Sequence, residues 1–155
     1  MDAAFQRRLD TITASFQRLL ASPPLHLPLG RVTVPDKGIY LFTEKDNHLY
    51  VGRSDNIRNR LGLHTRPASD YFQASFATLL AKEECRLVAD YRYRRVDPLH
   101  FANKESFRTA FAIAKTRIRA MDIRVVDEID PVNQALLEVY TAVVLPTRYN
   151  DFSNH

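Results

Sequence analysis

Apolar residues recur at helical spacing through residues 2 to 21, with Phe5, Leu9, Ile12, Phe16 and Leu19 on one stripe and Arg7, Arg8 and Arg18 mostly off it. That pattern predicts an amphipathic helix, which Ser22-Pro23-Pro24 stops. Leu25 to Lys37 reads as an extended connector, with a short strand expected at Arg31 to Val34. The period then changes to two. In Gly38 to Phe42 and His48 to Gly52, alternation places Ile39, Leu41, Leu49 and Val51 on one face and Tyr40 and Tyr50 on the other. Direct pairing of the two tyrosines centres a hairpin on Lys45, with a short odd-length loop through Glu44-Lys45-Asp46. Gly52 is expected to end the second strand, and Ser54 or Asp55 to cap a helix whose buried stripe is Ile57 and Leu61. Arg60 and His64, four residues apart, lie along the edge of that stripe.

A second helix is predicted from about Asp70, carrying Phe72, Phe76, Leu79 and Leu80. From Arg86 to Val96, arginine and tyrosine then interleave. Arg92, Arg94 and Arg95 in this stretch suit phosphate contacts, and the alternative is a solvated face with its arginines lying along it. Helical periodicity resumes at Lys104 to Arg119 through Phe107, Phe111, Ala114 and Ile118, with Arg108, Lys115, Arg117 and Arg119 as added positive charge. Residues 121 to 128 predict a third strand with Met121, Ile123 and Val125 on one face. Asp130-Pro131 is a helix start, with aspartate at the N-cap and proline at N1.

Apolar residues lie nearly all round the helix from Pro131 to Leu145, which predicts burial, and Glu138 stands among them with Ala135 and Ala142 flanking it. A buried carboxylate without a partner costs several kcal/mol. Glu138 is therefore paired, with Arg60 as the structural candidate, or protonated, or bound to a metal ion.

Composition narrows the class. At 155 residues, 45% hydrophobic and 26% charged, the chain suits one globular domain, residues 1–155. No apolar run approaches the roughly 18 residues of a membrane span, and Arg7, Arg8 and Asp10 interrupt any signal-peptide core. A soluble, intracellular, cytoplasmic protein is the expectation. Cys85 is alone, which excludes an internal disulfide and a multi-cysteine zinc site, and it reads as a small buried or half-buried hydrophobe. His26, His48, His100 and His155 have no metal-binding spacing and read as surface residues. The net charge of +4 is consistent with a polyanionic partner.

Gly38-Ile39-Tyr40, Tyr50-Val51-Gly52, Arg60 and His64, in that order and spacing, resemble the signature of the GIY-YIG nuclease superfamily. Ala135 to Glu138 followed by Pro146 to Asn150 is similar to the corresponding segment of the excision-repair incision subunit. The resemblance implies an α/β (α+β) fold: a small three-stranded antiparallel sheet flanked by helices. Here it would span residues 31–150, preceded by an N-terminal helix within residues 1–24 and carrying an insertion at about 86–119. It also implies a divalent-metal-dependent endonuclease, with DNA as the nucleic acid. In that reading Glu138 holds Mg²⁺ or Mn²⁺, Arg60 clamps the scissile phosphate, and Tyr40, Tyr50 or His64 handles the proton of the attacking water. Arg53 and Asn150 would contact substrate. The rival reading is a non-catalytic nucleic-acid-binding module of the same fold. A homodimer or a recruiting protein is the further partner that the lack of a separate recognition domain leaves open.

Overall fold

The computed structural model describes residues 1–88 and 104–153. Its centre is β1 (Gly38–Glu44), flanked by β2 (Asn47–Ser54) on one side and β3 (Asp122–Asp127) on the other, both antiparallel to it. Around this sheet the described residues form α1 (Ala3–Ala21), α2 (Ile57–Leu63), α3 (Ser75–Val88), α4 (Glu105–Arg119) and α5 (Pro131–Val144). The architecture is α+β, as expected.

Because β1 is buried on both faces, its alternation sorts side chains into two cores. Tyr40 and Phe42 join Ile57, Leu61, Phe76, Phe107 and Ile118 beneath α2, α3 and α4. Ile39 and Leu41 join Ile12, Phe16, Leu19 and Leu137 beneath α1 and α5. The N-terminal helix is thus a packing helix. It is capped by Asp2, whose carboxylate accepts from the backbone N–H of Ala4 and Phe5, and Phe16 meets Tyr140 of α5 edge-on at 5.2 Å. Asp130 caps α5 in the same way, with Pro131 in its first turn, and Met121, Ile123 and Val125 all face the α2–α4 side.

The hairpin differs from its predicted register. Tyr40 pairs with Gly52 and Tyr50 with Phe42, so the two phenols are diagonal neighbours on one face rather than direct partners. The turn is the two-residue Lys45-Asp46, both at positive φ (48° and 67°), and a bulge between Phe42 and Thr43 absorbs the odd residue. The same bulge turns Leu49 away from Val51 and into the core of Tyr40 and Phe42. Gly52 lies inside β2, which runs on to Ser54, and Asn56 rather than Ser54 or Asp55 caps α2 by accepting from the N–H of Asn59.

Three further expectations are corrected. No strand forms at Arg31 to Val34; the connector meets the sheet through a bridge from Leu25 to Ile123 and a contact of His26 with Asp122. Asp70 caps a turn, accepting from Phe72 and Gln73 N–H, and the helix itself begins at Ser75 with Phe72 left 64% exposed. The last helix is not buried all round, since Val132, Val139 and Val143 face outward while Leu137, Thr141 and Ala142 face the sheet. Offsets of seven and four residues put these valines on one outward face of the helix. Cys85 is half-buried, as its reading as a small hydrophobe requires.

Candidate active site

Tyr40 is the residue that the local structure works hardest to place. Its ring crosses β2 at Gly52: a Cβ at that position would stand 2.3 Å from the Tyr40 hydroxyl and 2.4 Å from Cζ. Only glycine leaves room for the phenol to pass. Tyr40 is 1% exposed, and burial pushes its hydroxyl well above the ordinary tyrosine range. The nearby Tyr50 adds to that push, Glu138 adds a smaller one, and the guanidinium of Arg60 opposes them without prevailing.

Two nitrogens from the α2 segment converge on this hydroxyl. Arg60 donates from Nε at 3.3 Å, and Nε2 of His64 lies at 3.1 Å. The spacing of four residues puts both groups on one side of α2, with Ile57 and Leu61 beside them as the buried anchor. Each of those two apolar side chains, fully buried, contributes about 1.5 to 3 kcal/mol to holding the helix there. The remaining Arg60 nitrogens donate to Gln73 O and Ser75 Oγ, both at 2.8 Å, so the turn before α3 fixes the guanidinium. His64 is fully buried, and burial, aided by Arg60, lowers its pKa to about 3. Its ring is neutral at physiological pH. Nδ1 of His64 is buried without a partner among the described residues.

Tyr50 closes the aromatic wall. It stacks on Phe76 at 4.8 Å and meets His64 edge-on at 6.1 Å. Half-buried where Tyr40 is buried, it is the phenol of the pair that solvent reaches.

From the opposite face of the sheet, α5 brings Glu138 to the same edge strand. The sequence-based candidate for its partner was Arg60; the structure pairs it instead with Arg53, whose Nε donates to Oε2 at 3.1 Å. Strand alternation explains the exchange, because Arg53 shares the Val51 face that packs on Leu137, whereas Arg60 lies on the Tyr40 side. Burial raises the Glu138 pKa, and Arg53 only partly offsets it. Oε1 accepts no hydrogen bond from a described residue. Among the described residues there is no cluster of three or more histidine, cysteine, aspartate or glutamate side chains that could hold a metal ion. What Glu138 offers is a single carboxylate with one oxygen free, a donor set that suits an ion such as Mg²⁺, which keeps most of its water.

Asn150 also reaches this edge. Its amide accepts from Val51 N and donates to Val51 O, while Tyr149 N–H binds Leu49 O, so the C-terminal segment takes the place of a further strand along β2. Arg92, Arg94 and Arg95 lie outside the described residues. Of the cationic residues expected on α4, Lys115 is buried rather than solvated and Arg117 is paired with Glu44. Sequence reasoning missed the roles of Gln73 and Ser75, which carry no motif. Gly52 it saw only as a strand end, although a glycine two residues after Tyr50 was the available signal.

The β1–β2 hairpin, α2 and α3 together form the part of the molecule that compares with known proteins. Residues 36–89 match the GIY-YIG catalytic domain. Tyr40, Tyr50, Arg53, Arg60 and His64 all fall in this GIY-YIG segment, while Glu138 and Asn150 lie outside it and join it only through the fold. No curated protein and no solved structure matches the chain. Among the described residues, no helix is long and apolar enough to cross a membrane.

Proposed function

We propose that the protein is a divalent-metal-dependent endonuclease that hydrolyses phosphodiester bonds of DNA. The observation that carries this reading is the convergence of Arg60 and His64 on the Tyr40 hydroxyl, at a sheet edge to which Glu138 comes from the other face. Glu138, through its free oxygen, would hold Mg²⁺ or Mn²⁺, which when bound supplies Lewis acidity at the phosphate and at the leaving oxygen. The remaining steps belong to the chain. Arg60 is permanently charged, and its donors not taken by Tyr40, Gln73 and Ser75 face the scissile phosphate. Tyr50, as the accessible phenol, orients the attacking water. Tyr40 and the neutral His64 stand behind it, fixing the ring wall and Arg60. With a pKa of about 3, His64 is a positioning residue and not the general base. Arg53, the partner of Glu138, would be a second phosphate contact together with Arg92, Arg94 and Arg95. Asn150 acts by holding the strand that carries Tyr50 and Arg53.

A second reading is favoured by one feature: Arg60 and Glu138 each already have protein partners, as in a binding module that retains the fold. Cleavage of supercoiled plasmid separates the two. The wild type cuts with Mg²⁺ or Mn²⁺ and stops with chelator, and Glu138→Ala and Arg60→Ala are inactive. DNA binding that is indifferent to metal, with no cleavage of plasmid, branched or single-stranded substrates, gives the binding module.

A further inference from the structure

On the side of α2 turned away from Arg60 and His64 lies a cavity of about 510 Å³ into which Arg58, Arg66 and Arg119 project, over a floor formed by Leu27, Pro28 and Leu29. We infer that this cavity binds a phosphate group of the nucleic-acid strand flanking the cut site; the inference rests on the nuclease reading for the identity of the strand.

Charge is the first argument. Arg58 donates to the carbonyls of Gly30 and Val32, Arg66 to Asn59 Oδ1 at 3.1 Å, and Arg119 to Thr65 O at 2.6 Å. All these partners are neutral. No aspartate or glutamate lines the cavity, and among the described residues none forms an ion pair with the three guanidiniums. Behind the wall, the buried Lys115 ammonium donates to Arg66 O, Pro67 O and Ser69 O, adding a fourth positive charge that fixes the loop. The acidic group acting on it is Asp70, whose influence is smaller than that of Arg119. Like charges gathered without a counter-ion repel one another, and an anion removes that cost.

Shape and position select the anion. Guanidinium forks with unused N–H groups match the oxygens of a phosphate, and the apolar floor accommodates the attached sugar. Arg58 and Gly62 share one face of α2. Arg60, two residues from each, is turned from them by about 200°, so cavity and active site occupy opposite sides of one helix. The separation is on the order of 10 Å, or about three base steps along the axis of a duplex. A strand cut at Tyr50 and Arg60 and held in the cavity is therefore gripped on both sides of α2, which sets where along it the cut falls.

The test is equilibrium binding of a fluorescein-labelled DNA duplex to the full chain, in chelator and across a salt series. Two variants remove the site differently: Arg66→Ala deletes a guanidinium that, among the described residues, is tethered to Asn59, and Pro67→Glu places a carboxylate at the exposed rim without removing an arginine. Each is expected to flatten the plot of log affinity against log salt by about 0.9, the value for one lost phosphate contact. Arg7→Ala, on the exposed face of α1, leaves the slope unchanged. Wild-type slopes in both variants overturn the inference, and do so alone if the wild type still cleaves plasmid. A wild type that binds no duplex at any salt overturns it together with the nuclease reading. In a second arm, inorganic phosphate is titrated while the Gly62 amide is followed by NMR. Phosphate that saturates the amide shift without weakening duplex binding shows a free-anion site, and overturns the assignment to the strand.

Discussion

Replacing His64 with glutamine removes an imidazole that the fold holds neutral, and the size of the effect follows from the burial of the ring. An ordinary imidazole titrates near 6.5; here burial, with Arg60 beside it, brings the value to about 3. Between those two values the unfolded chain binds a proton that the native state refuses, so native stability rises with pH across the window. The contribution is fully present above about 6.5, is lost as pH falls, and is gone below about 3. At about 1.4 kcal/mol per pH unit, acidification from pH 7 to about 4.5 costs the wild type roughly 3 kcal/mol through this one residue. That is a large share of a typical folding stability of about 5 to 15 kcal/mol. Glu44 and Asp127, whose carboxyls are held low by Arg117 and Arg18, also destabilise in acid, but equally in both proteins. Urea denaturation of wild type and His64→Gln at pH 7 and about 4.5 therefore isolates the histidine. The variant is less stable at pH 7, and the gap closes by roughly 3 kcal/mol at the lower pH. Parallel pH profiles would refute the neutral buried imidazole and, with it, the assignment of His64 as a positioning residue. Proton-detected titration of the ring gives the direct reading: no inflection between pH 5 and 8.

Two other perturbations test the geometry. Gly52→Ala puts a methyl 2.3 Å from the Tyr40 hydroxyl, so the phenol must move by about 1 Å; nicking activity should fall on the order of 100-fold, with about 1 to 3 kcal/mol of stability lost in urea, and wild-type activity would show that Tyr40 is not held where the site needs it. Lys115→Met strips the donor from three loop carbonyls and should lower stability by roughly 2 to 4 kcal/mol, measured by chemical denaturation, whereas an unchanged midpoint would mean that the buried ammonium does not hold the 66–69 loop.

Local pattern was enough for much of this molecule. Period-two alternation and period-3.6 spacing are properties of a backbone with few conformations, so the hairpin, α1, the α2 stripe of Ile57 and Leu61, and the Asp130-Pro131 helix start could all be read from the chain. So could the ordered set of Tyr40, Tyr50, Arg60 and His64, because i, i+4 spacing and strand alternation bring those residues together within one hairpin and one helix. Tertiary structure decided what depends on long-range contact. A single bulge after Phe42 set the register, offset the tyrosines and turned Leu49 to the other core. The opposite face of the sheet set the partner of Glu138 as Arg53. Desolvation, which sums over every neighbour, made His64 neutral and Lys115 a buried loop anchor. Arg58, Arg66 and Arg119 are scattered over more than sixty positions as ordinary surface charges in the sequence, and they share a cavity only because α4 packs its C-terminal turn beside α2 and the Leu27 connector. Chemistry carried by neighbours in sequence is legible in the chain; chemistry carried by burial and by convergence of distant segments exists only once the chain has folded.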